Sequence, residues 1–70
     1  MDDLKDFKVA DAFMAFANYS GRRADAITAR ARANANPANP DLAIAADHAE
    51  AVAAAYGSTA RQKATAMQEN

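Results

Sequence analysis

The chain has no cysteine and no tryptophan, and only two glycines and two prolines in 70 residues. Without cysteine it has no disulfide to staple a small fold and no thiolate to anchor a metal, and redox chemistry says nothing about its compartment. Large apolar side chains are scarce as well. Leu, Ile, Val and Phe number nine: Leu4, Phe7, Val9, Phe13, Phe16, Ile27, Leu42, Ile44 and Val52. No apolar run approaches the roughly 20 residues of a membrane span. The opening Met1-Asp2-Asp3-Leu4-Lys5-Asp6 is acidic, unlike a secretory signal. The expectation is a chain with no membrane partner, cytoplasmic or carried on a particle such as a virion. Asn18-Tyr19-Ser20 fits a glycosylation sequon, but without a secretory signal it reads as coincidence.

What the chain has instead is alanine, 22 residues of it, with a net charge of only -1. Alanine loses no side-chain entropy on entering a helix and has the highest helix propensity. Helices are therefore expected throughout, with a thin core, because each alanine buries little area. Seventy residues lie near the lower limit for independent stability, so self-association or docking has to supply what a disulfide would supply elsewhere. Alanine abundance, with more Arg than Lys, also suggests a GC-rich bacterial or phage genome.

The helical pattern breaks once, at Asn34-Ala35-Asn36-Pro37-Ala38-Asn39-Pro40. Each proline removes a backbone donor and biases the preceding residue out of the helical region. One helix is expected to end near Asn34 or Ala35, and the next to start with Asn39 as N-cap, Pro40 at its first position and Asp41 in its first turn. The expected fold is all-α: a single 1–70 domain forming an antiparallel helical hairpin, hinged at 34–40, with helices over about 3–35 and 40–67. Asp2 or Asp3 would cap the first helix, and residues 67–70 would fray. Gly21 and Gly57 could kink or break the helices, but the apolar phase runs through both.

Two apolar ladders run along the first helix at spacings of mostly three and four. One is Val9, Phe13, Phe16, Ser20, Ala24, Ile27 and Ala31; the other is Phe7, Ala10, Met14, Ala17, Gly21 and Ala24. The second helix offers Leu42, Ala45, Ala49, Val52, Tyr56, Thr59 with Ala60, Lys63 and Met67. Folding the chain at Pro37 and Ala38 sets the first ladder against this seam, with Ala24 near Val52 and Val9 near Met67. Residues 12–35 carry +3 and residues 36–52 carry -3, so the charges favour the same register. The second ladder, with Leu4 beside it, is then left for a partner. Leu4, Phe7 and Met14 are the expected partner-binding residues.

Residue types that carry chemistry are few. His48 is the lone histidine, and neighbouring Asp47 points about 100° away from it on a helix, so no metal site is expected. Ser20, Ser58, Thr28, Thr59 and Thr65 lack a base at a recognisable spacing, and no glycine-rich loop opens a helix to cradle a phosphate. Neither catalysis nor a cofactor is expected. Lys5, Lys8, Arg22, Arg23 and Arg30 fall within about a third of the first helix's circumference, a ridge that could follow nucleic-acid phosphates.

The sequence thus points to a non-enzymatic protein-interaction module: a structural or assembly component such as a phage virion or accessory protein, bound to itself or to another protein. The alternatives are a nucleic-acid-associated regulator using the basic ridge, and an inhibitor that binds a host protein complex.

Overall fold

In the computed structural model, which describes residues 3–68, the chain is a hairpin of two antiparallel helices, α1 (Asp3–Ala35) and α2 (Pro40–Gln68). Only residues 36–39 lie between them. The expected N-cap at Asp2 and the expected fraying of Glu69 and Asn70 lie outside the described residues. Met67 and Gln68 are helical.

The hinge follows from its own residues. The Asn36 amide donates to the Ala33 carbonyl at 3.2 Å, and its side-chain nitrogen donates to the Arg32 carbonyl at 2.9 Å, satisfying two acceptors that the helix end leaves open. Asn39 then caps α2, with Oδ1 accepting from the Asp41 amide at 3.2 Å. Pro40 occupies the first helical position, where its missing N–H costs nothing. Both helices run unbroken through Gly21 and Gly57, neither of which has a positive φ.

The pairing face of α1 differs from the expected one. Buried side chains among the described residues are all alanine: Ala12, Ala15, Ala26 and Ala33 of α1 against Ala46, Ala53 and Ala60 of α2, with Gly57 buried beside them. Taken with half-buried Lys8, Tyr19 and Ala29 and with exposed Arg22, they trace a strict three-four seam along α1, Lys8-Ala12-Ala15-Tyr19-Arg22-Ala26-Ala29-Ala33. Its counterpart on α2 is Leu42-Ala46-Ala49-Ala53-Tyr56-Ala60-Lys63-Met67. On α2 the expected seam was right to within one position, and on α1 the expected ladder lies one residue beside the true one. Val9, Phe13, Phe16 and Ile27 are therefore exposed. The reason is helix separation: an alanine seam lets two backbones approach at the lower end of the usual 8–10 Å range along the whole overlap, whereas a phenylalanine ladder would wedge them apart at one end only.

The register is close to the expected one. The Tyr19 ring packs against Gly57, where an added Cβ would come within 2.9 Å of the ring's Cε1. The hairpin measures 58 × 14 × 12 Å with a radius of gyration of 16.1 Å, against about 11 Å for a compact domain of this length. Among the described residues no side chain larger than alanine is buried between the two helices.

Candidate functional site

The first eleven residues of well-formed apolar pattern in α1, Phe7 to Ala17, are inverted with respect to an ordinary surface helix. Their two charged residues, Lys8 and Asp11, are half-buried on the side that meets α2, and Asp11 Oδ2 accepts from Lys63 Nζ at 2.5 Å. Their outward side chains are Phe7, Val9, Ala10, Phe13, Met14, Phe16 and Ala17, every one exposed and apolar. At about 100° per residue these seven span roughly half of the helix circumference. Phe13 is 77% exposed, Phe7 67%, Met14 64% and Leu4 61%, with Phe16 and Val9 at 44% and 43%. A surface helix normally places its apolar stripe inward and its charges outward. Over residues 7–17 α1 turns both of its charges inward and its large apolar side chains outward.

On one flank of this strip Val9, Phe13 and Phe16 join Ala64 and Met67 of α2 around a shallow groove of about 460 Å³, with Ser20 its one polar side chain. On the other flank Met14 borders a second groove of about 400 Å³ with Asp11, Asn18, Tyr56, Thr59 and Lys63. The expected partner-binding residues Leu4, Phe7 and Met14 are thus all exposed, but only Phe7 and Met14 stand on the strip, since Leu4, one turn before Lys8, is on the side of α1 that faces α2. Val9, Phe13 and Phe16, assigned by sequence to the intramolecular contact, stand on the strip too. The signal that could have shown this was the strip's own charge pattern: Lys8 and Asp11 mark the side of α1 that faces α2.

Toward the hinge, one arginine gathers two carboxylates. Arg30 Nη2 donates to Asp47 Oδ1 at 2.5 Å and to Glu50 Oε1 at 2.8 Å, while Nε donates to Glu50 Oε2 at 3.0 Å. The hydrogen bonds that Arg30 donates to Glu50 and then to Asp47 hold the guanidinium above its ordinary pKa, and the bond from Arg30 holds the Glu50 carboxyl below the usual carboxylate range. Arg22 reaches across the seam and lies 5.0 Å from the centroid of the Tyr56 ring, a cation–π contact. The basic residues therefore do not form one open ridge. Arg30 is neutralised by two carboxylates, Arg22 covers an aromatic ring, Lys8 is half-buried, and Arg23 stands in the groove that Glu50 also lines. Lys5 lies on the same side of α1 as these.

His48 is exposed beside Arg22 and Asp25, and both acidic residues near it in sequence, Asp47 and Glu50, are held by Arg30. Among the described residues no cluster of three His, Asp or Glu side chains could hold a metal ion, and no helix is long and apolar enough to cross a membrane. Of the five hydroxyl residues considered for catalysis, Thr65 donates to the Arg61 carbonyl within its own helix. A comparison with protein-family models, curated proteins and solved structures finds no match.

Proposed function

We propose that the chain is a non-enzymatic protein-interaction module, a small structural or assembly component, and that its working surface is the apolar strip at the open end of the hairpin. The observation that carries this reading is the inverted polarity of residues 7–17, with charges turned to the intramolecular seam and three phenylalanines turned to water. Total accessible surface is 5140 Å², whereas a compact 7.4 kDa monomer exposes about 4200 Å². The hairpin thus carries several hundred Å² more surface than a self-sufficient domain, and its most apolar part is concentrated in one place, which is how interaction sites differ from scattered surface apolar residues.

Catalysis would need a site that gathers reactive groups around a substrate. The two grooves beside the strip are open and shallow, and their charged residues, Asp11 and Lys63, are bonded to each other. The regulator reading has less to rest on than the sequence suggested, because Arg22 and Arg30 are occupied within the hairpin. An inhibitor of another protein's complex would use the same strip and differs only in what covers it.

The test is a pair of double variants, Phe7→Ser with Met14→Ser and Phe13→Ser with Phe16→Ser, each followed by light scattering, recovery of bound protein and circular dichroism. None of these side chains is buried in the hairpin, so helix content should persist while the assembly or the recovered partner is lost. Burying a Phe or Met side chain stabilises by about 1.5–3 kcal/mol, so either pair should shift binding at least a hundredfold. Unchanged mass, unchanged recovery and an unchanged melting temperature in both variants would refute the assignment.

A further inference from the structure

Resting on the reading of the strip as a docking surface, we infer that the occupant is an α-helix of another protein. It lies lengthwise between α1 and α2 on the Phe16 side of the hairpin and carries carboxylates toward Arg23. Two grooves stand end to end on this side. The first, of about 460 Å³, runs past Val9, Phe16 and Ala64. The second, of about 510 Å³, runs past Arg23, Arg30 and Glu50. Val9, Phe16, Arg23 and Arg30 follow one another at intervals of seven residues, as do Glu50, Gly57 and Ala64, so each set forms one line along its helix. The two grooves are thus halves of one trough, floored by Ala12, Ala26 and Ala53, with Tyr19 and Gly57 at its middle. From Val9 to Arg30 it is about 32 Å long at the helical rise.

Backbone chemistry selects a helix as the occupant. The walls are two helices whose N–H and C=O groups are spent on their own hydrogen bonds, so an extended segment laid between them would bury amides without partners. A helix satisfies its own amides, and about 21 residues of it fill the trough. The alanine floor lets it come close. Phe13, Phe16 and Met67 at one end and Ile27 at the other give its side chains large apolar groups to pack against. A third helix set between two others completes a bundle core, which the hairpin by itself lacks.

Charge gives the partner's sign. Arg30 holds both Asp47 and Glu50, the acids on this side of α2. Arg23, between the apolar ends of the trough, is exposed and forms no ion pair among the described residues. Arg61, one turn from both Gly57 and Ala64 on the rim of α2, forms none either. The charges left over along the trough are therefore both positive, with Asp6 standing beyond its open end. The other side of the hairpin is polar instead: Asp11 and Lys63 are bonded there beside Asn18 and Thr59, and Arg22, Asp25 and His48 follow toward the hinge.

The probe is a displayed library of alanine-based helical peptides, about 21 residues long and randomised along one face, selected on the whole chain and separately on Arg23→Glu. Ala54→Gln fills the trough, and Ala55→Gln, in the groove on the other side, is its control. Circular dichroism checks that each variant keeps its helices. Enriched peptides should carry large apolar residues at helical spacing with Asp or Glu near the middle. Phe16→Ser and Ala54→Gln should weaken them about tenfold or more, and Ala55→Gln should not. Arg23→Glu should weaken them about fivefold and should itself select Lys or Arg at the same positions. A library without enriched peptides overturns the helix, and peptides without charge bias in either selection overturn the acidic partner. Peptides indifferent to Ala54→Gln but lost with Phe7→Ser and Met14→Ser overturn the trough while leaving the strip a docking surface. A dimer of the chain alone, dispersed by Ala54→Gln, puts a second copy in the trough and overturns the inference as well.

Discussion

Replacing Gly57 by alanine tests how tightly the two helices are joined. A glycine in a helix interior is less favourable than alanine by about 1 kcal/mol, so by propensity alone the change should stabilise α2. The tertiary contact opposes it. The new Cβ would lie 2.9 Å from Tyr19 Cε1, 3.2 Å from Cδ1 and 3.4 Å from Cζ, so the ring must tilt or the helices must part. Overpacking of this kind typically costs about 1–3 kcal/mol. Gly21 is the internal control, because nothing lies within 4 Å of where its Cβ would stand. Gly21→Ala should therefore stabilise by about 1 kcal/mol, which raises Tm by about 4–8 °C in a domain of this size. Gly57→Ala should fall short of that variant by about 1–3 kcal/mol and end near or below the parent's stability. Thermal and urea unfolding followed by circular dichroism, at one fixed chain concentration, measure both. In a Tyr19→Ala background the penalty at Gly57 should disappear and the substitution should become stabilising, which separates a ring clash from any other cost in α2. Equal gains from Gly21→Ala and Gly57→Ala would show that Tyr19 yields freely and that the seam is not closely joined at this level.

Two further outcomes follow from the hinge end. Because the folded state holds the Glu50 carboxyl below its unfolded value, the Arg30–Glu50 contact contributes stability above the ordinary carboxylate range, and that contribution is lost as pH falls through the depressed pKa. Tm should drop on acidification through that window, and Glu50→Gln should lower Tm at neutral pH while flattening the acid dependence. A pH profile identical in parent and variant would contradict the bidentate contact. Asn39→Ala removes the side-chain acceptor for the Asp41 amide and should cost about 1 kcal/mol, whereas Asn34→Ala, at an exposed position with no comparable bond, should cost far less. Equal losses in the two variants would mean that Asn39 does not cap α2.

The hinge, the helix ends and the register were legible in the sequence because each rests on local rules. Pro37 and Pro40 restrict their own and the preceding backbone whatever lies around them, Asn39 caps from its own side chain, and the opposed charges of residues 12–35 and 36–52 favour the register in which the structure sets Arg30 against Asp47 and Glu50. The face of α1 that meets α2 was not legible in the same way. Periodicity identifies ladders but cannot rank two adjacent ones, and size favoured Val9, Phe13, Phe16 and Ile27 over Ala12, Ala15, Ala26 and Ala33. Only the tertiary structure decided, because the balance lies between burying a few large side chains at one end and bringing two backbones together along roughly 40 Å of helix. The alanine seam is continuous in both helices, sets Lys63 against Asp11 and Arg22 against the Tyr56 ring, and leaves the phenylalanines outside. That choice made the strip at the open end, and with it the surface on which function is proposed.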